Sequence, residues 1–114
     1  MRIFLISFLL LSCQSSHKSL NVNVVSKDRV TLHLVRAEKL NDGILVSGHI
    51  DGIHRMTDKA ELEFRVLNSD QVLHSYKKVY AGIRHSLKKH KSFRHMIEGT
   101  FPENSNVEIR TRRK

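Results

Sequence analysis

The sequence predicts an all-β fold, an antiparallel β-sandwich of six to seven strands. Three observations carry that prediction. Apolar residues recur at every second position in several short runs. Clusters rich in Asn, Asp, Ser, Gly or Pro separate those runs at short intervals. No stretch shows the three-to-four-residue apolar spacing of an amphipathic helix. Short alternating strands closed by turn residues favour two packed sheets over a layered α/β arrangement, with a small barrel as the other all-β solution.

The chain opens Met1-Arg2-Ile3-Phe4-Leu5-Ile6-Ser7-Phe8-Leu9-Leu10-Leu11-Ser12-Cys13. Arg2 gives a positive start, and Ile3 to Leu11 are apolar apart from Ser7. That run has the length of a signal-peptide core and is far short of the ~20 residues a membrane-spanning helix needs. As a first strand it would be apolar on both faces. It ends at a small residue followed by the only cysteine in the chain. Leu10-Leu11-Ser12-Cys13 resembles the lipobox of bacterial lipoproteins. The resemblance implies that residues 1–12 are a signal peptide, that cleavage follows Ser12, and that Cys13 is the lipid-attachment residue holding the protein to a membrane. A lone cysteine in an exported protein also calls for a modification, because it cannot form an intrachain disulfide.

Residues 13–23 read as the lipidated cysteine and a tether. Gln14-Ser15-Ser16-His17-Lys18-Ser19 is polar and has nothing to bury, and ten extended residues reach at most roughly 35 Å. Gln14, the residue after the cysteine, is not acidic. In lipoproteins of diderm bacteria this resembles the sorting default to the outer membrane, with the domain facing the periplasm.

The β-sandwich domain is expected over residues 24–114. Val30, Leu32 and Leu34 alternate with Thr31, His33 and Val35, which predicts a strand with the first three residues on its buried face. Asn41-Asp42-Gly43 predicts a hairpin turn closed by the Asp-Gly pair. Ile44, Val46, Gly48 and Ile50 then alternate with Leu45, Ser47 and His49, and Gly48 inside this strand marks a bulge or a close backbone approach. Residues 51–59 form a polar connection. Leu62, Phe64 and Val66 alternate with Glu61, Glu63 and Arg65 in the clearest strand of the chain. Asn68-Ser69-Asp70-Gln71 is the next turn, and Val72 to Tyr80 forms the returning strand. Residues 84–91 read as a basic loop. Phe93, His95 and Ile97 begin a further strand, Pro102 to Asn106 a turn, and Val107, Ile109 and Thr111 the last strand. Arg110-Thr111-Arg112-Arg113-Lys114 reads by default as a frayed basic end. The order of strands and turns over 24–113 is similar to the small immunoglobulin-like modules of bacterial envelope lipoproteins, although the chain has no tryptophan and no cysteine pair.

The formal net charge of +9 favours polyanionic partners such as lipid phosphates, acidic glycans or acidic proteins. Export makes nucleic acid an unexpected partner. The densest positive segment is Arg84 to His95, where Arg84, Lys88, Lys89, Lys91 and Arg94 are the candidate anion-binding residues. Each Lys or Arg beside an anionic membrane adds about 1 kcal/mol; the plainer alternative is a solvated loop that keeps edges from pairing. Histidines 85, 90 and 95, and 49 and 54, are spaced by five, which turns two imidazoles apart on a helix and onto opposite faces on a strand. No metal site or cofactor is expected, though His33 and His49 stand to meet across the first hairpin. Ser47 and His49 share a strand face without a nucleophile turn. Glu61 and Glu63 share another face without an enclosing groove, and cross-strand pairing with lysines accounts for them. No enzyme is expected. The sequence therefore points to a lipid-anchored binding or assembly module of the cell envelope, with anion binding by residues 84–95 as the alternative.

Overall fold

A computed structural model describes residues 18–53, 57–82 and 91–114. They form eight strands: β1 (Lys18–Ser19), β2 (Val22–Ser26), β3 (Thr31–Leu40), β4 (Gly43–Asp51), β5 (Lys59–Asn68), β6 (Gln71–Ala81), β7 (Lys91–Glu98) and β8 (Asn106–Arg113). One sheet has the order β1-β3-β4-β7 and the other β2-β8-β5-β6. The two close on each other as a β-sandwich, as the alternation predicts. Pairing is antiparallel throughout except between β2 and β8, which run parallel.

Alternation decides which side chains meet in the middle, because successive residues of a strand point to opposite faces. Sheet one contributes Ala37, Ile44, Val46, Ile50, Phe93 and Ile97; sheet two contributes Ala60, Leu62, Phe64, Val66, Val107 and Ile109. Each large side chain buried this way stabilises the fold by about 1.5–3 kcal/mol. Leu62, Phe64 and Val66 are fully buried, on the face assigned to them. Thr111 also points inward, and its hydroxyl donates to the Val30 carbonyl at 2.8 Å. That bond satisfies a buried polar group whose burial is otherwise costly.

Three local features differ from the sequence expectation. The first is β3. His33 pairs with His49 and Arg36 with Ser47, so Leu34 and Val35 together face Gly48. This bulge turns Leu34 to solvent, at 77% exposure, and lets Val35 pack on the core instead. Leu34 sits in the left-handed region at φ 53°, which a branched side chain rarely adopts. Gly48 is the close approach: a Cβ there would lie 2.9 Å from the Phe93 ring and 3.2 Å from Val35 Cγ2.

The second is the β3–β4 turn. Leu40 pairs with Gly43, so the connecting pair is Asn41-Asp42 and not Asp42-Gly43. Gly43 belongs to β4, where an added Cβ would collide with the Ile97 carbonyl oxygen. The β5–β6 hairpin does use left-handed residues. Ser69 (φ 50°) and Asp70 (φ 67°) connect the paired Asn68 and Gln71, in the turn cluster read from the sequence.

The third is the N-terminal stretch expected to be a tether. From Lys18 onward it is paired: β1 lies beside β3, and β2 lies beside β8. Leu20 N–H donates to the Ala37 carbonyl at 2.9 Å, and Val107 N–H to the Asn21 carbonyl at 3.0 Å. These are backbone bonds made by residues that are mostly exposed, so alternation gives little sign of them. They raise the strand number to eight.

Candidate functional site

Of the residues singled out from the sequence, Cys13, Arg84, Lys88 and Lys89 lie outside the described residues. Lys91 and Arg94 are in β7, which begins at Lys91, two residues before the strand start expected at Phe93. Phe93 and Ile97 point inward on that strand, and so does Lys91, while Arg94 points outward. The half-buried Lys91 donates through Nζ to the Ala81 carbonyl at 2.9 Å, tying the start of β7 to the end of β6. The fold therefore does not bring Lys91 and Arg94 together.

His33 and His49 do meet, as direct cross-strand partners on the outer face of sheet one. His33 Nε2 lies 3.7 Å from Asp51 Oδ2, and His49 Nδ1 lies 3.1 Å from Ser92 Oγ. Among the described residues, no three His, Cys, Asp or Glu side chains converge to hold a metal ion.

The two flanks of the sandwich are unlike. One is closed by the short strands β1 and β2. The other presents β6, eleven residues long, and β7, each the last strand of its sheet. Their inward side chains close this flank with rings. His95 stacks on Tyr76 (centroids 4.9 Å apart, 8° between planes) and on Phe64 (4.7 Å, 26°). Tyr80 lies against Phe93, and the Lys78 ammonium sits 5.2 Å from the Tyr80 ring centroid. Burial holds the His95 imidazole below its ordinary pKa, and the nearby Lys78 and His74 act in the same direction. The Tyr80 hydroxyl is buried without a hydrogen-bond partner among the described residues; burial first, then Tyr76, raises its pKa. Along β6, Val72, Leu73, Tyr76 and Val79 remain exposed.

A third feature is the outer face of sheet two, where charges alternate across three strands. Glu61 is opposite Arg112, Glu63 opposite both Arg110 and Lys77, and Arg65 opposite Glu108. Arg65 Nη1 and Arg110 Nε each lie 2.7 Å from Glu108 Oε1. Arg112 Nε donates to Glu61 Oε1 at 2.9 Å, and Ser75 Oγ to Glu63 Oε2 at 3.0 Å. The Arg112 hydrogen bond lowers the Glu61 pKa against the opposing effect of burial, helped by the charges of Arg112, Lys77 and Lys114. For Glu108, burial pushes upward, but the hydrogen bonds from Arg65 and Arg110 and their charges outweigh it, and the net shift is downward.

Glu61 thus pairs with Arg112 of β8, where a cross-strand lysine was expected, whereas Glu63 does stand opposite Lys77 as well as Arg110. The C-terminal residues are correspondingly not frayed. Arg113 donates through Nη2 to the Gly52 carbonyl at 2.8 Å and pairs with Asp58, and Lys114 N–H donates to the Lys59 carbonyl. Between these charges lies a groove of about 350 Å³, lined by Val25, Lys27, Glu61, Glu63, Lys77, Arg110 and Arg112. The sequence held a signal for it: Arg110 and Arg112 alternate with the inward Ile109 and Thr111, so both belong to the same outward face as Glu108. Comparisons with protein-family models, curated proteins and solved structures find no match.

Proposed function

We propose that this protein is a lipid-anchored, non-enzymatic lipoprotein of the bacterial envelope, held at the outer membrane through Cys13 and facing the periplasm. Its work is binding or assembly. An extended segment of another envelope protein adds as a strand along β6. The observation that carries this reading is the inequality of the flanks: β1 and β2 are short, whereas β6 offers eleven residues of edge with Val72, Leu73, Tyr76 and Val79 exposed. A bare edge supplies the backbone hydrogen bonds for strand addition, and alternate side chains supply specificity. β6 carries Lys77 and Lys78 and no acidic residue. A second copy of this basic strand is therefore a poor fit, and an acidic segment a good one.

Two experiments test the two halves. Cys13→Ala is expected to abolish lipid labelling and signal cleavage; unchanged labelling overturns the anchor. A photo-crosslinking residue at Val79 in intact envelopes is expected to give one discrete adduct that persists at raised salt. The same residue at Asn23, on the opposite flank, is expected to give none. Equal adducts from both positions, or a homodimer from Val79, overturns the edge reading.

A second reading is anion binding by Arg84, Lys88, Lys89, Lys91 and Arg94. It rests on charge density, and Lys91 and Arg94 face opposite sides of β7, so those two do not act as one patch. Binding of this kind would be lost at physiological salt, where the Debye length is about 8 Å.

A further inference from the structure

The groove on the outer face of sheet two has a construction that ion pairing alone does not require. Arg110 and Arg112 are two residues apart on β8, so they stand side by side on one face, about 7 Å apart along the strand. Each is fixed by its inner nitrogen: Arg110 Nε on Glu108, Arg112 Nε on Glu61. The carboxylates are recessed, with side chains 14% and 10% exposed, while the two arginines are 53% and 58% exposed. The acids act as struts beneath the guanidinium groups. A guanidinium held through Nε keeps two terminal nitrogens with their donors.

Lys27 and Lys77 line the same groove from the end of β2 and from β6. Four cations from three sides thus surround a space in which, among the described residues, Glu61 and Glu63 are the acidic lining. Glu61 is already engaged by Arg112, and Glu108 is shared between Arg65 and Arg110. The groove therefore keeps an excess of positive charge after its internal pairing.

The geometry points to a binding site for a phosphorylated sugar on the outer face of sheet two, with Arg110, Arg112, Lys77 and Lys27 gripping the phosphate. Donors arriving from several directions suit a tetrahedral oxyanion; a planar carboxylate is matched by one guanidinium fork. The volume of about 350 Å³ exceeds what a bare phosphate fills and falls at the small end of ligand pockets, about 300–1,000 Å³. Glu63 accepts one bond from Ser75 at Oε2, and a carboxylate has further acceptor capacity for sugar hydroxyls. Val25, at the other wall, gives the C–H face of a sugar an apolar surface. This site uses no residue of the basic loop and shares only Lys77 with β6.

The test uses the full chain in non-ionic detergent and measures binding by titration calorimetry. The probes are glucose 1-phosphate, inorganic phosphate, glucose and glycerophosphoglycerol. Glucose 1-phosphate is expected to bind saturably, inorganic phosphate more weakly and glucose not at all. If glycerophosphoglycerol binds as tightly as glucose 1-phosphate, the phosphate comes from a lipid headgroup; if it binds more weakly, from a free sugar phosphate or glycan end. Arg110→Lys and Arg112→Lys, which keep the charge but lose Nε, should each weaken glucose 1-phosphate about tenfold or more, the scale of one charge-assisted hydrogen bond. Lys77→Gln should do the same and is the variant of choice if either arginine variant fails to fold. Arg36→Gln, an exposed arginine of β3 on the other sheet, should leave binding unchanged. Absence of glucose 1-phosphate binding, equal binding of glucose, or an Arg36→Gln loss as large as that of Lys77→Gln each overturns the site.

Discussion

Phe64 is the residue on which both sheets depend most. Its ring is fully buried, lies 5.9 Å from Phe93 and stacks on His95. Truncation removes the apolar area and leaves a cavity that rigid neighbouring strands fill poorly. Phe64→Ala is therefore expected to cost about 3–5 kcal/mol, a large part of the 5–15 kcal/mol typical of a domain. A denaturant titration with a midpoint equal to the parent's would refute this. The opposite error is available at Gly48. A methyl there meets the Phe93 ring at 2.9 Å and Val35 at 3.2 Å. Gly48→Ala should cost about 1–3 kcal/mol by overpacking, read in the same titration. The sequence showed Phe64 clearly, because charged residues flank it on both sides in strict alternation. It showed Leu34 wrongly. Alternation cannot register an extra residue, and the bulge opposite Gly48 exchanges the roles of Leu34 and Val35.

At the scale of the element, strands of one apolar face were legible and strands without one were not. β4, β5 and β8 announce themselves through Ile44-Val46-Ile50, Leu62-Phe64-Val66 and Val107-Ile109. β1 is two exposed residues whose pairing is a matter of backbone geometry, which no side-chain pattern reports. The groove was hidden for a related reason. Its charges come from Lys27, just after β2, and from β5, β6 and β8, and the sheet order brings them together. Turns follow the same division. Ser69 and Asp70 were recognisable as a turn by residue type, yet both hold left-handed φ values that side chains other than Gly and Asn adopt at a cost. Replacing Ser69-Asp70 by Asn-Gly should relieve that cost and stabilise the domain by roughly 1 kcal/mol. A melting temperature that stays level or falls would show that the Ser69 hydroxyl bond to Asn68 matters more than the backbone.

For the whole molecule, the ring stack between β6 and β7 and the ion pairs on sheet two make stability depend on pH in two stages. His95 has a folded pKa below its ordinary 6.5, chiefly through burial, with Lys78 and His74 adding to it. Between the folded value and about 6.5 the unfolded chain binds a proton that the folded chain refuses, so stability falls as pH drops through this window. Glu61 and Glu108 also have lowered folded values, from an ordinary 4.5. Their contribution is complete above that value and is lost as pH falls through the folded pKa, when Arg112, Arg65 and Arg110 lose their charged partners. The melting temperature should therefore decline first below about pH 6.5 and again below about pH 4.5. His95→Phe keeps a ring between Tyr76 and Phe64 but cannot titrate. It should remove the first decline and leave the second, whereas Glu61→Gln should shrink the second and leave the first. Melting curves of the three proteins between pH 8 and pH 3 separate these outcomes. The chain holds eight histidines, so a first decline that persists in His95→Phe would assign it to another imidazole and remove the stack from the account of stability.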